Sequence, residues 1–201
     1  MDTRTALNTI GPIMMAVREE MIRLEEQHSC ILTSAILTEV LHRKGYQSAY
    51  TLRVRVRIVN RAFKDYVQRY GPPNTPNAMA RCDAAGAAMI GLGEGPAEAM
   101  PEGRWPGHTV VIIPGVISDG HLMSDATITQ VNRPELQIEL QPFVAVVQDA
   151  FVKGERPFRK ELNGCLLSYT ALPGDRQHEA TELWTSKLGI ARVADMVMSR
   201  V

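Results

Sequence analysis

Cys30 stands where a helix is expected to begin, in the stretch HSCILTSAILTEVLHRKGY. Apolar residues recur after it at three- and four-residue steps, and Gly45 suits the end of a helix. We expect Ser29 to cap the helix, which places Cys30 in the first turn. A helix N-terminus carries partial positive charge that favours a thiolate, and its free backbone amides can hold an oxyanion. The position therefore suits a cysteine that attacks a carbonyl group.

A histidine and an aspartate follow on a predicted β-hairpin, HTVVIIPGVISDGHLMSDATI, which starts at His108. Pro and Gly residues predict a loop over about residues 114–120. Centred on this loop, His108 falls about opposite Asp125, and residues opposite each other share a face with Cβ atoms about 5 Å apart. An aspartate there can bind one imidazole nitrogen and leave the other for the sulfur. We therefore predict Cys30, His108 and Asp125 as catalytic residues.

This order of residues resembles the transglutaminase-like branch of the papain-like superfamily, which also contains arylamine N-acetyltransferases and many bacterial cysteine peptidases. The matching motifs are HSCILTSAILTEVL, WPGHTVVII and LMSDATI, and they cover about a third of the chain. The chain has no RGG ahead of the cysteine, as acetyltransferases have, and no tryptophan directly before it, as many transglutaminases have. The resemblance therefore carries over a reaction type but no substrate class.

The resemblance implies acyl transfer by a thiol, with Cys30 as nucleophile, His108 as base and then acid, and Asp125 orienting the ring. We expect hydrolysis or transfer at an amide or peptide bond through a thioester, on a peptide, protein or small amide substrate. No cofactor is implied, because the thiol and the imidazole supply the chemistry. Trp105 is expected either to roof the site or to anchor a lid, and His28 is either a substrate contact or a solvated residue.

The periodicity of the chain predicts the elements that must position these side chains. Residues 5–26 and 30–44 have apolar residues at helical spacing, and a final helix is expected near 180–199. The predicted strands are TLRVRVRIV, HTVVII, HLMSDATI, LQIEL, FVAVVQDAF and CLLSYTAL. Helices followed by an antiparallel sheet predict an α+β fold. The resemblance implies the papain-like (transglutaminase-like) form of it, with the N-terminal helices packed on the sheet.

The length and composition of the chain predict one domain. Its 201 residues are 45% hydrophobic, enough for a substantial core. Residues 61–107 include GPPNTPN and GLGEGPAEAMPEGRWPG, which are rich in Gly and Pro, and we interpret this stretch as an insertion or lid. We therefore predict a single papain-like domain over residues 1–201 that carries this insertion.

Three arginines alternate with apolar residues in TLRVRVRIV, so Arg53, Arg55 and Arg57 are expected on one face of a strand. Such a row can bind an anionic substrate. Charged residues are also common on the exposed face of a strand, and this remains the simpler interpretation.

The charge balance limits the partners. The 22 basic residues equal the 22 acidic residues, so no overall field attracts nucleic acid or an anionic membrane. The stretch MDTRTALNTIGPIMM has no basic segment followed by an apolar one, and no stretch approaches the roughly 18 apolar residues of a membrane span. We expect a cytoplasmic protein with reduced thiols, and the sequence does not indicate an oligomeric state.

Other assignments remain open at this stage. Cys82 can also open a short helix before the same histidine, and His121 is the rival base, whereas Cys165 is expected to pack in the core. A zinc site that uses Cys30, His108 and His121 is a further alternative, although no compact ligand spacing supports it. The last alternative is a binding module that has the papain-like scaffold but no catalytic activity.

The thiol reactivity of the three cysteines tests the assignment of the nucleophile. We expect Cys30 alone to react with iodoacetamide well below pH 8, because the thiolate is the reactive species. Peptide mapping by mass spectrometry after timed alkylation measures this. Faster labelling of Cys82, or no labelling until alkaline pH, would contradict the assignment.

Overall fold

Two amphipathic helices form the N-terminal part of the chain. Helix α1 spans Thr3–Arg23 and begins at Asp2, whose side chain accepts a hydrogen bond from the Thr5 amide at 3.0 Å. Helix α2 spans Cys30–Arg43, and Ser29 Oγ accepts a hydrogen bond from the Leu32 amide at 3.3 Å. Both helices and the Ser29 cap are confirmed, and Cys30 is the first residue of α2 as predicted.

The computed structural model describes residues 1–26, 29–93, 107–180 and 187–201. In this part the other α-helices are α3 (Arg61–Tyr70), α4 (Pro76–Ala84), α5 (Asp149–Val152) and α6 (Lys187–Met198). Three short 3₁₀ helices span Ile128–Val131, Pro134–Leu136 and Gln177–Ala180. None of the described helices is both long and apolar enough to cross a lipid bilayer.

A seven-stranded antiparallel sheet forms the other layer, and the α+β class is therefore confirmed. Its strands are β1 (Tyr50–Val59), β2 (Met89–Leu92), β3 (His108–Ile113), β4 (His121–Asp125), β5 (Phe143–Val147), β6 (Phe158–Leu162) and β7 (Cys165–Ala171). The order is β5-β4-β3-β1-β7-β6, and β2 also pairs with β1. The hairpin of β3 and β4 is as predicted, with its loop over residues 114–120.

The two faces of the sheet bury different cores. Helices α1, α2 and α6 cover the outer face. The inner face is concave: the ring of Phe143 in β5 lies 6.1 Å from that of Tyr169 in β7, and the Lys160 ammonium of β6 lies 5.2 Å from the Phe143 ring centroid. Since β5 and β6 are at opposite ends of the strand order, these contacts make the sheet nearly closed.

Several elements differ from the sequence-based expectation. LQIEL does not form a strand but contains the end of a 3₁₀ helix and one bridging residue, Ile138. FVAVVQDAF is a strand only over Phe143–Val147, and β6 was not predicted. The row of arginines on β1 is not uniformly exposed, because Arg53 is buried and forms an ion pair with Asp175.

Asn60 connects the segment after β1 to the body of the fold. Its buried side chain accepts hydrogen bonds from the amides of Phe63 at 2.9 Å and Ala88 at 3.0 Å. Its amide nitrogen donates to the carbonyls of Gly86 and Leu136, each at 2.9 Å. One side chain thus caps α3 and holds the approach to β2 in place.

Replacing Asn60 with Ala is therefore expected to destabilise the protein by about 3 kcal/mol, because it leaves buried backbone groups without partners. For a chain of this length, that corresponds to a fall in Tm of about 6–12 °C in thermal unfolding. The exposed Asn74→Ala variant is the control, with an expected change within about 0.5 kcal/mol. Equal Tm values for the two variants would contradict the role of Asn60.

Candidate active site

Hydrogen bonds between hydroxyl groups fix helix α2 along strands β1 and β3. Thr38 Oγ1 lies 3.3 Å from Thr51 Oγ1, and Ser34 Oγ lies 3.1 Å from Thr109 Oγ1. Thr109 Oγ1 also donates to the Cys30 carbonyl at 2.9 Å. These contacts recur at each turn of the helix, so they set how far α2 extends along the sheet. They place its first residue beside the start of β3.

The Cys30 side chain reaches past the end of the strand. Its Sγ lies 3.8 Å from the carbonyl oxygen of Gly107, the residue that precedes β3, and Cys30 is 7% exposed. Helix α2 covers the outer face of the sheet, whereas His108 pairs with Val54 and shares the inner face with it. The two side chains can meet because each stands at the end of its element and Gly107 has no side chain between them.

His108 and Asp125 form a buried pair. His108 Nε2 lies 2.9 Å from Asp125 Oδ2, and neither side chain is exposed. The register differs from the sequence-based expectation: the ladder of Val111 with Ser124, extended by one residue, sets Asp125 opposite Val110 instead of His108. The contact is therefore diagonal across the hairpin, between side chains that still share a face. The predicted proximity of the two residues is correct, although the predicted alignment is shifted by two residues.

Three donors hold the Asp125 carboxylate. In addition to His108, the Tyr169 hydroxyl donates to Oδ2 at 2.8 Å, and the Thr127 amide donates to Oδ1 at 3.1 Å. Nearby, the Arg18 guanidinium of α1 donates to the Ala126 carbonyl at 2.9 Å. The carboxylate therefore has one orientation, with Oδ2 shared between the imidazole and the phenol. Burial, followed by the charge of Asp125, raises the pKa of Tyr169 well above its ordinary value, so the phenol stays protonated as a donor.

The environment of His108 favours its charged form. Burial alone would lower its pKa, but the charge of Asp125 and the hydrogen bond to it outweigh burial, with smaller contributions from the Cys30 thiol beside the ring. The net effect raises the pKa of His108 to about 10. His108 is therefore an imidazolium at neutral pH, bound to the Asp125 carboxylate and with Cys30 beside it.

Gln130 contacts the second nitrogen of the ring. Its Nε2 lies 2.8 Å from His108 Nδ1. That contact fits a neutral ring whose Nδ1 accepts a hydrogen bond, whereas the raised pKa favours a ring protonated on both nitrogens. The two agree if the half-buried Gln130 amide turns its oxygen toward the ring when His108 is charged. Asp125 supplies a full negative charge and the amide supplies only a dipole, so the carboxylate determines the protonation state of the ring.

The other candidate residues do not join this group. Helix α4 begins at Pro76, so Cys82 lies near its C-terminal end and not at its start, and burial raises its pKa. Cys165 is buried in β7, as predicted. His121 lies at the opposite end of the hairpin, where its Nε2 is 2.9 Å from Asp149 Oδ1. His28 and Trp105 lie outside the described residues.

The zinc alternative loses one of its ligands, because His121 is remote from Cys30. Within the described ranges, no group of three or more His, Cys, Asp and Glu side chains is arranged to hold a metal ion.

Gln130 and Tyr169 were not predicted as members of the site. Gln130 lies in a 3₁₀ helix, two residues beyond the end of the predicted strand HLMSDATI. Tyr169 is on β7, which is two strands away from β3 across β1. A tyrosine at an inward position of an apolar strand is a signal that the hydroxyl needs a buried partner, and it could have pointed to the carboxylate.

Comparison of the chain with protein-family models gave no match, and no curated protein or solved structure is significantly similar to it.

The protonation state of His108 gives a direct test of this geometry. Because its folded pKa is raised above 6.5, the charged ring contributes stability that is complete below pH 6.5 and is lost as the pH rises toward about 10. In protein labelled with ¹⁵N in the histidine rings, we expect His108 to remain doubly protonated at pH 8. The Asp125→Asn variant is expected to make it neutral, since desolvation then dominates.

The matched control for this measurement is Asp149→Asn, which removes the carboxylate of the other histidine pair on the same hairpin. It should leave the His108 signals unchanged. A neutral His108 ring at pH 8 in the unmodified protein would contradict the charge arrangement.

Proposed function

We propose that this protein is a cysteine-dependent acyl-transfer enzyme that cleaves an amide or peptide bond through a thioester on Cys30. The observation that carries the proposal is the buried pair of His108 and Asp125 with Cys30 beside it: Cys30 is the first residue of α2, and its Sγ lies 3.8 Å from the carbonyl oxygen of Gly107, the neighbour of His108. A structural thiol needs neither a helix N-terminus nor a histidine–aspartate pair, whereas either of them can activate a nucleophilic thiol.

The reaction begins with the thiolate of Cys30, which attacks the carbonyl carbon and forms a carbon–sulfur bond. The carbonyl oxygen becomes an oxyanion beside the first turn of α2. The Leu32 amide already donates a hydrogen bond to Ser29 Oγ. The backbone amides of Cys30 and Ile31 therefore remain as the donors in this turn that can bind the oxyanion.

His108 Nε2 stays bound to Asp125, so the proton on Nδ1 goes to the leaving amine as the carbon–nitrogen bond breaks. This transfer requires Gln130 to release Nδ1, and it produces the thioester and a neutral ring. In the second half, the ring takes a proton from water or from an acceptor amine, which attacks the thioester and releases Cys30. Asp125 keeps its charge throughout and holds the ring in the orientation that both proton transfers need.

The architecture supports assigning the chain to the papain-like, transglutaminase-like type. The nucleophile lies on a helix that packs on an antiparallel sheet, and the base and the carboxylate lie on two consecutive strands of that sheet. All three cysteines are free, as thiol chemistry in a reducing, cytoplasmic environment requires. The proposed substrates are peptides, proteins or small amides.

One observation favours a second candidate, a non-catalytic binding module on the same scaffold. His108 is fully buried and Cys30 is only 7% exposed, so the group would also serve as an internal polar network. The two functions differ in one respect. Only the enzyme forms a covalent acyl adduct on Cys30.

An activated acyl donor distinguishes the two. With p-nitrophenyl acetate we expect a burst of p-nitrophenolate and an acetyl adduct on the Cys30 peptide. Cys30→Ala should abolish both while leaving the circular dichroism spectrum unchanged. Asp125→Asn should lower the acylation rate by about 100-fold, because it leaves the imidazole neutral and poorly oriented.

Asp149→Asn is again the matched control, and its rate should equal that of the unmodified protein. Acetylation of another residue with Cys30 unmodified, or an equal rate in the Asp125→Asn variant, would favour the binding module.

A further inference from the structure

Arg55 is a charged residue on β1 that has no role in the proposed reaction steps. It lies on the exposed part of β1, and within the described ranges no carboxylate pairs with it. Its neighbour on the same face, Arg53, is buried and paired with Asp175. Burial, and then the charge of Arg55, lowers the pKa of Arg53, so the two guanidinium groups repel each other. An anion beside Arg55 would relieve this repulsion.

The packing of α2 on the sheet determines what lies opposite Arg55. Thr38 meets Thr51, and one helical turn earlier Ser34 meets Thr109, the residue paired with Arg53. Four residues of a helix span about 6 Å and two residues of a strand span about 6.6 Å. Contacts between α2 and the strands therefore repeat every four residues of the helix and every two residues of the strand. The next step along both elements brings the start of α2 to the level of Arg55.

That step ends at Cys30 on the helix. On the strands it ends at Arg55, the residue after Val54, which pairs with His108 at the end of the β1–β3 ladder. The 3.8 Å contact of Cys30 Sγ with the carbonyl of Gly107, the residue before His108, agrees with this alignment. Since paired strands are about 4.8 Å apart, Arg55 and the residue that the nucleophile touches lie close together at this end of the ladder.

Among the described residues, the backbone neighbours of the exposed Arg55 are small. Gly93 follows in register from the pair of Val56 and Leu92 on one edge of β1, and Gly107 lies close by on the same edge, next to the partner of Val54. A Cβ added at Gly93 would stand 3.7 Å from Arg55 Cγ, so this glycine lies directly beside the side chain. On the other edge Arg55 pairs with the exposed Thr170. No large side chain at these three positions covers it.

We propose that Arg55 is a specificity residue that binds a carboxylate next to the reacting carbonyl, so that the acyl group transferred by Cys30 comes from an acidic substrate. The inference rests on the proposed function, because it assigns a substrate class to the same site. A guanidinium is suited to this role, since its planar array of donors matches a carboxylate. The carbonyl is held at the start of α2, and the carboxylate extends over β1.

Alkylation of Cys30 by a matched pair of reagents tests this without knowledge of the natural substrate. Iodoacetate carries a carboxylate, and iodoacetamide is its neutral counterpart. We expect Arg55→Gln to lower the ratio of the iodoacetate rate to the iodoacetamide rate at Cys30 by about threefold or more, and the ratio cancels any change in the reactivity of the thiol itself. Arg55→Glu should lower the ratio further, and added salt should reduce both effects.

Arg159→Gln is the matched control, because it removes an exposed arginine from strand β6 and changes the net charge equally. Its ratio should match that of the unmodified protein. A fast iodoacetamide reaction with the same ratio in the Arg55 and Arg159 variants would overturn the inference and leave the proposed function standing. If neither reagent reacts with Cys30 at neutral pH, the proposed function fails and the inference fails with it.

Protection experiments identify the source of the carboxylate. Glutarate and a short glutamate-containing peptide are each compared with their neutral amides for slowing the reaction of Cys30 with iodoacetamide. Protection by glutarate indicates a small dicarboxylic acyl group, and protection by the peptide alone indicates an acidic peptide. Equal protection by the neutral amides would contradict recognition by Arg55.

Discussion

The buried carboxylate of Asp125 is the interaction on which the site depends. An ionised carboxylate without partners is very unfavourable inside a protein. Here the imidazole of His108, the hydroxyl of Tyr169 and the amide of Thr127 all donate to it. One of these donors, His108, is titratable. The positive charge that neutralises the buried Asp125 carboxylate is therefore a proton on the His108 ring. The cost of burying the aspartate and the basicity of the histidine therefore have the same origin.

The curvature of the sheet brings Tyr169 to this pair, and the position of helix α2 along the sheet brings Cys30. Tyr169 reaches Asp125 from β7 only because the sheet is nearly closed. Cys30 approaches from the opposite face, at the end of a helix whose contacts with β1 and β3 repeat at matching distances. Inner-face and outer-face residues do not normally meet. They do so here at Gly107, where β3 has not yet begun and no side chain separates them.

Local signals were sufficient to predict much of this arrangement. The Ser29 cap, the first-turn position of Cys30 and the short loop of the hairpin each follow from a few neighbouring residues, so both helices and the proximity of His108 to Asp125 could be predicted. Tyr169 and Gln130 could not, because their contacts depend on the closure of the sheet and on a 3₁₀ helix without periodic pattern. The predicted register was wrong by two residues for a different reason: the turn residues locate the loop but not the pair that closes it, which is Ile113 with Leu122.

The hairpin also shows that a histidine and an aspartate at hydrogen-bonding distance can have very different surroundings. His108 with Asp125 and His121 with Asp149 have the same separation, 2.9 Å. The first pair is fully buried, whereas the side chains of the second are 21% and 64% exposed. Water screens the second pair, so its attraction is weak and its geometry is loosely held. Burial, and the presence of a thiol beside the ring, give the first pair the fixed orientation and the charge on which the proposed acyl transfer rests.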